Sequence, residues 1–136
     1  MNSKNALSVV EEMAKLFLFI GSIAMVLAVG LGAFGAHALK ARLPADMLEI
    51  FETGVRYHFY HALGILVVGL LGYHLPDSVW LKAAGWLMAA GIVIFSGSLY
   101  LLSTTGITWL GAITPIGGFS FILAWIFLAT AVVKNM

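Results

Sequence analysis

Of the 136 residues, 62% are hydrophobic and 10% are charged, against about 25% charged in a soluble domain, so lipid rather than water must surround most of the chain. Seven Lys and Arg against six Asp and Glu leave a net charge of +1, which excludes the basic patch or stripe of a nucleic-acid binder. The absence of cysteine excludes disulfides, a thiolate nucleophile and any Cys-ligated zinc or iron–sulfur centre.

The opening stretch "MNSKNALSVVEEMAK" carries two glutamates and delays the apolar run to Leu16. It lacks the basic n-region and short apolar core of a cleaved signal peptide. Ser8 to Glu11 is a capping-box pattern, which predicts a helix starting near Val9 and projecting beyond the membrane. A frayed tail is the alternative.

A bilayer crossing takes about 20 apolar residues, and four segments qualify: about 16–38, 57–75, 80–102 and 115–133. They are too long for barrel strands and show no alternation of period two. Helices satisfy their own backbone in lipid, so the expected fold is an all-α bundle of four transmembrane helices in a single domain. In the first loop, "PADMLEIFETG" places Pro44 near a start and Gly54 after an end, with Met47, Leu48 and Phe51 on one face. A short amphipathic helix at the membrane surface is predicted there. "LPDS" (75–78) predicts a tight turn, "STTGITWLGAIT" (103–114) a short polar link, and Thr114-Pro115 an N-cap followed by Pro at N1.

Four passes put both termini on one side, side A. Lys4, Lys15, Lys82 and Lys134 lie there, against Lys40, Arg42 and Arg56 on side B. This small excess favours a cytoplasmic side A. Trp80 and Trp109 stand where interfacial anchors belong, one on each side.

The small residues Ala28, Gly32 and Ala36 form one stripe on the first helix. Small faces let helices approach closely in lipid, either within the bundle or between copies of the chain.

The distinctive polar residues gather on side B: His37, Glu52, Arg56, His58, His61, Ser96, Ser98, Tyr100 and Thr114. His58 and His61 are three apart and share a helix face, and His37 ends the first helix on the same side. Ionisable groups inside a membrane are candidates for function. His37, His58 and His61 are therefore weak candidates for a metal or proton site, although the spacing falls short of a full metal motif. The bland alternative is a set of contacts between helices. The serines, Tyr100 and Thr114 similarly point either to a polar pocket under the first loop or to a hydrogen-bonded lock that holds the loop down.

"GAFGAHALK" (32–40), "FETGVRYHFYHALG" (51–64), "FSGSLYLL" (95–102) and "TPIGG" (114–118) resemble the small bacterial membrane proteins grouped as domain of unknown function 423. Eukaryotic transmembrane-protein-256-like proteins are similar. The resemblance implies a four-helix integral membrane protein, in bacteria one of the inner membrane. It implies no activity, cofactor or catalytic residue.

No acid–base pair or nucleophile constellation stands out. The leading expectation is a non-enzymatic accessory or assembly subunit, or a small homo-oligomer, with lipid and membrane proteins as its partners. Binding of a lipid or small molecule on side B ranks second, and a histidine site third. The cofactor, if any, is not identified by sequence.

Overall fold

In the computed structural model, which describes residues 2–136, the chain forms α1 (Ser3–Phe34), α2 (Ala45–Gly72), α3 (Val79–Gly91), α4 (Gly97–Thr105) and α5 (Thr114–Asn135). Two π-helical turns join this series. Gly35–Leu39 extends α1, and Ile92–Ser96 welds α3 to α4 into one span. In each, a backbone N–H reaches five residues back: Lys40 to Gly35 and Gly97 to Ile92. A 3₁₀ turn, Thr108–Ala112, precedes α5. Among the described residues, four helical spans are long and apolar enough to cross a membrane.

The first span, Ser3–Leu39, has 37 residues, about 55 Å at 1.5 Å each, against a hydrocarbon core of about 30 Å. The surplus lies at the N-terminal end. Ala14 already packs against Gly72, the last residue of α2, and Val10 and Met13 meet the turn that follows it, so the first turns of α1 run on past the bundle. This corrects the expected start near Val9. The helix begins at Ser3, and the Ser8 hydroxyl donates back to the Asn5 carbonyl at 2.8 Å instead of capping.

The short amphipathic helix expected in the first loop is not a separate element. Ala45–Gly72 is one uninterrupted helix of 28 residues, and the connection from α1 shrinks to a few residues around Pro44. Gly54 was expected to end that short helix, since glycine in a helix interior costs about 1 kcal/mol relative to alanine. It continues because it is a contact point: a Cβ there would lie 2.9 Å from the Tyr100 ring. Close approach to α4 outweighs the local penalty. Thr114 is likewise the first residue of α5 rather than its cap, with no side-chain cap on that helix end. The third span runs to Thr105, where Gly106 takes the left-handed conformation at φ 73° and returns its N–H to the Leu102 carbonyl at 2.8 Å.

α2 is the central helix. It packs along α1 and against α3 and α4, meets α5 through the His61 side chain, and buries residues from Phe51 to Gly69. The two halves of the bundle differ. Towards the chain termini the core is apolar, built on Phe17, Ile65, Val68, Met88, Ala124 and Leu128. The Asn135 amide donates to Ser78 Oγ at 3.1 Å and Lys134 lies over the Trp80 ring, which ties the C-terminus to the turn between α2 and α3. The opposite half holds Ser96, Ser98 and His58, all buried. The distribution follows from the solvent. Apolar side chains gain nothing by leaving lipid, so the helices hold together through close packing and hydrogen bonds.

The tightest packing point tests that account. A Cβ on Gly117 would strike the backbone of Phe95, and backbone cannot rotate away. Gly30 has open space around it. Gly117→Ala should destabilise the bundle by about 1–3 kcal/mol, whereas Gly30→Ala should leave it unchanged or slightly more stable. Thermal melts in detergent distinguish the two, and equal melting temperatures would contradict the packing.

Candidate functional site

Six of the nine side-B polar residues, His58, His61, Ser96, Ser98, Tyr100 and Thr114, are hydrogen-bonded within the bundle. Ser96 is fully buried, and its hydroxyl donates to the Gly54 carbonyl of α2 at 2.7 Å. Ser96 is the last residue of the π turn Ile92–Ser96, a local irregularity of the kind often found at functional sites. Ser98 Oγ lies 2.6 Å from Thr114 Oγ1 and joins α4 to α5. His58 Nδ1 lies 2.9 Å from the Tyr100 hydroxyl and joins α2 to α4. Ser120 on α5 donates to the Leu87 carbonyl of α3 at 2.7 Å. These are the bonds of a lock, and residues 45–56 of the loop that a pocket was expected to lie under are part of α2.

His61 is held differently. Its Nδ1 lies 2.6 Å from the Tyr57 carbonyl, and its Nε2 lies 3.0 Å from Trp125 Nε1. A carbonyl only accepts and an indole N–H only donates. Both bonds are satisfied by the neutral imidazole with its proton on Nδ1, so geometry fixes the tautomer. The ring also stacks on Phe121, with centroids 3.4 Å apart and planes 9° apart.

His58 and His61 thus share a helix but turn to different neighbours, one to α4 and the other to α5. His37, Glu52 and Arg56 are exposed. Among the described residues, no group of three His, Asp or Glu side chains is placed to hold a metal ion. The three histidines expected as weak metal candidates are not brought together.

Sequence reasoning missed a large concave feature. A groove of about 770 Å³ runs between α2 and α5, lined by Tyr57, Tyr60, His61, Phe119, Phe121 and Trp125, with Phe95 and Gly118 also contributing. Phe95 and Tyr57 pack at 4.7 Å between centroids, and Phe95 and Phe121 at 5.4 Å. The spacing of four between Tyr57 and His61 and between Phe121 and Trp125 was a usable signal, since such pairs share a face. What the sequence lacked was the pairing of α2 with α5.

The lock generates a quantitative expectation. In a double-mutant cycle of Ser98→Ala and Thr114→Val, measured by unfolding in mixed micelles, the coupling energy should be about 0.6 kcal/mol and no more than about 1.7 kcal/mol. A coupling of zero would mean that the hydroxyls do not bond in the membrane.

The family profile described as "Protein of unknown function (DUF423)" matches residues 31–118, a segment that contains all four sequence motifs. The chain is 55% identical over 122 residues to "UPF0382 membrane protein YwdK" of Bacillus subtilis, covering 90% of this chain and 99% of that protein. It is 47% identical over 120 residues to "UPF0382 membrane protein SERP0230" of Staphylococcus epidermidis, covering 88% and 97%. No solved structure matches. With over half its length matched by the profile, and relatives this similar from end to end, the chain belongs to the DUF423 family of membrane proteins of unknown function.

Proposed function

We propose that the protein is a non-enzymatic membrane component that holds a lipid-derived amphiphile in the groove between α2 and α5. The groove itself carries this reading. It has a volume in the range of ligand sites, its walls are aromatic, and its rim residues Tyr60, Phe119 and Ile122 are exposed, so a hydrocarbon chain can enter sideways from the bilayer. Arg56 is exposed one helical turn beyond Tyr60 on the same face of α2, at interface depth. A guanidinium there suits an acidic head group. The hydroxyls and imidazoles behind the groove are engaged with one another, which supports binding rather than chemistry.

A second reading, an accessory or assembly subunit or a small homo-oligomer, is favoured by the extension of α1. The first turns of α1 run past the end of α2 with Leu7 and Val9 exposed, a helical arm that projects beyond the contacts of Val10 and Met13 with the turn between α2 and α3. On either reading we place the protein in the bacterial inner membrane with both termini in the cytoplasm. The lysine excess on that side supports the orientation.

Native mass spectrometry from lipid nanodiscs reports both bound lipid and subunit count. A side chain at position 118 would extend into the groove, and its Cβ would meet Phe95 only at ordinary contact distance, 3.7 Å. Gly118→Leu should therefore abolish a retained lipid adduct with little change in melting temperature, and Arg56→Gln should remove its preference for anionic lipid. Adducts that persist in Gly118→Leu would refute the groove. A dimer lost on deletion of residues 2–12 would favour the second reading.

Orientation is separately testable, because the chain contains no cysteine. Met136→Cys should resist an impermeant maleimide in intact cells, and Lys40→Cys should react. The opposite pattern inverts the topology.

A further inference from the structure

Seven of the ten residues that line the groove between α2 and α5 carry flat rings, and no charged side chain is among them. The buried rings are already paired. Phe121 stacks on His61 with centroids 3.4 Å apart, and Phe95 packs on Tyr57 at 4.7 Å. The rim is different. Tyr60, Phe119 and Trp125 are 52%, 65% and 42% exposed, so each leaves ring surface open to an occupant. Trp125 is not an interfacial anchor of the kind that tryptophan supplies at helix ends. It lies midway along α5 (Thr114–Asn135), and its N–H is committed to His61, which holds the indole in place.

Hydrocarbon alone gives such a groove nothing to select. A chain that leaves the bilayer for an apolar wall gains no hydrophobic energy, and it loses conformational freedom. Selective retention needs a contact that lipid tails do not offer. Aromatic walls offer one, which is offset-stacked or edge-to-face packing against a second ring.

We infer that the amphiphile held in the groove carries a planar conjugated ring beside its acidic group, and that the rim rings select it over a plain acyl chain. The faces of the rim rings carry negative potential. A ring drawn electron-poor by an attached carboxylate or carbonyl therefore stacks on them well. A cationic head group is also attracted to such faces, but the exposed Arg56, one helical turn from Tyr60, opposes it. This ligand class rests on the groove being the binding site, and it narrows what binds there.

The test uses the full chain in lipid nanodiscs, with 4-octylbenzoate and trans-4-octylcyclohexanecarboxylate added together in equal amount. The two acids share their charge and tail, and only the first has a flat conjugated ring. Native mass spectrometry separates them by mass, and empty nanodiscs correct for partition into lipid. The benzoate adduct should exceed the cyclohexane adduct by about tenfold, the worth of one or two ring contacts. Phe119→Leu keeps an apolar side chain on the rim and removes the ring, so it should bring the ratio towards one with the melting temperature unchanged. Tyr60→Leu does the same from α2 and substitutes if the first variant does not fold.

Equal adducts of the two acids, both lost in Gly118→Leu, would leave the groove as the site and overturn the ring preference. Bilayer lipid that is lost in Gly118→Leu but displaced by neither acid would do the same. A preference that survives both rim variants would take the selection away from the rim rings and overturn it. Dominance of octyltrimethylammonium in the same competition would assign those rings to a cation, with the same consequence. If no adduct of any kind responds to Gly118→Leu, the groove itself falls, and the ring preference with it.

Discussion

A polar atom inside a bilayer has to find its partner within the protein, and much of this bundle is arranged around that requirement. Five of the polar side chains on the side-B half each reach an acceptor or donor on another helix. Ser96 finds the Gly54 carbonyl, Ser98 finds Thr114, His58 finds Tyr100, His61 finds Trp125, and Ser120 finds the Leu87 carbonyl. Together these bonds tie α2 to α4 and α5, and α5 back to α3 and α4. Helices that gain little from hydrophobic burial in lipid are held in register by a small number of directional contacts and by close backbone approach.

The two ends of the molecule therefore do different jobs with the same four crossings. Near the termini, Phe17, Val68, Met88 and Leu128 fill an apolar core. At the other end, two π turns place an extra residue in α1 and in the third span. The second of these ends on Ser96, whose hydroxyl bonds to α2. A π turn leaves the local ladder of hydrogen bonds less regular than an α-helix does. Here the irregularity coincides with interhelical hydrogen bonding, and its last two residues, Phe95 and Ser96, open the motif "FSGSLYLL". The specificity of the fold and the distinctive motifs thus reside in the same half.

The two buried histidines show how one spacing yields two environments. Three residues on a helix turn the side chain by about 60° from exact alignment. On the central helix of a bundle, that angle is enough to face different neighbours. His61 is saturated by a carbonyl, an indole and a stacked phenyl ring. His58 has one nitrogen bonded to Tyr100 and the other buried against the bundle. The aromatic groove opens to lipid beside α2, so a molecule dissolved in the membrane can approach it without crossing water.

The sequence by itself determined the solvent, the class and the count. Apolar runs of about 20 residues, almost free of charge, admit only membrane-spanning helices, and the clustering of polar residues on side B was legible from topology. The helix ends near Val9, Gly54 and Thr114 were misread because local capping and glycine signals amount to only about 1 kcal/mol each. Tertiary contact outweighs that amount: Gly54 stays helical because Tyr100 packs on it and Ser96 donates to its carbonyl. Only the tertiary structure could say that Trp125 answers His61 while Tyr100 answers His58. A residue's neighbours across a helix interface depend on which helices pair and at what rotation. The two π turns alter that rotation in a way no periodicity in the chain records.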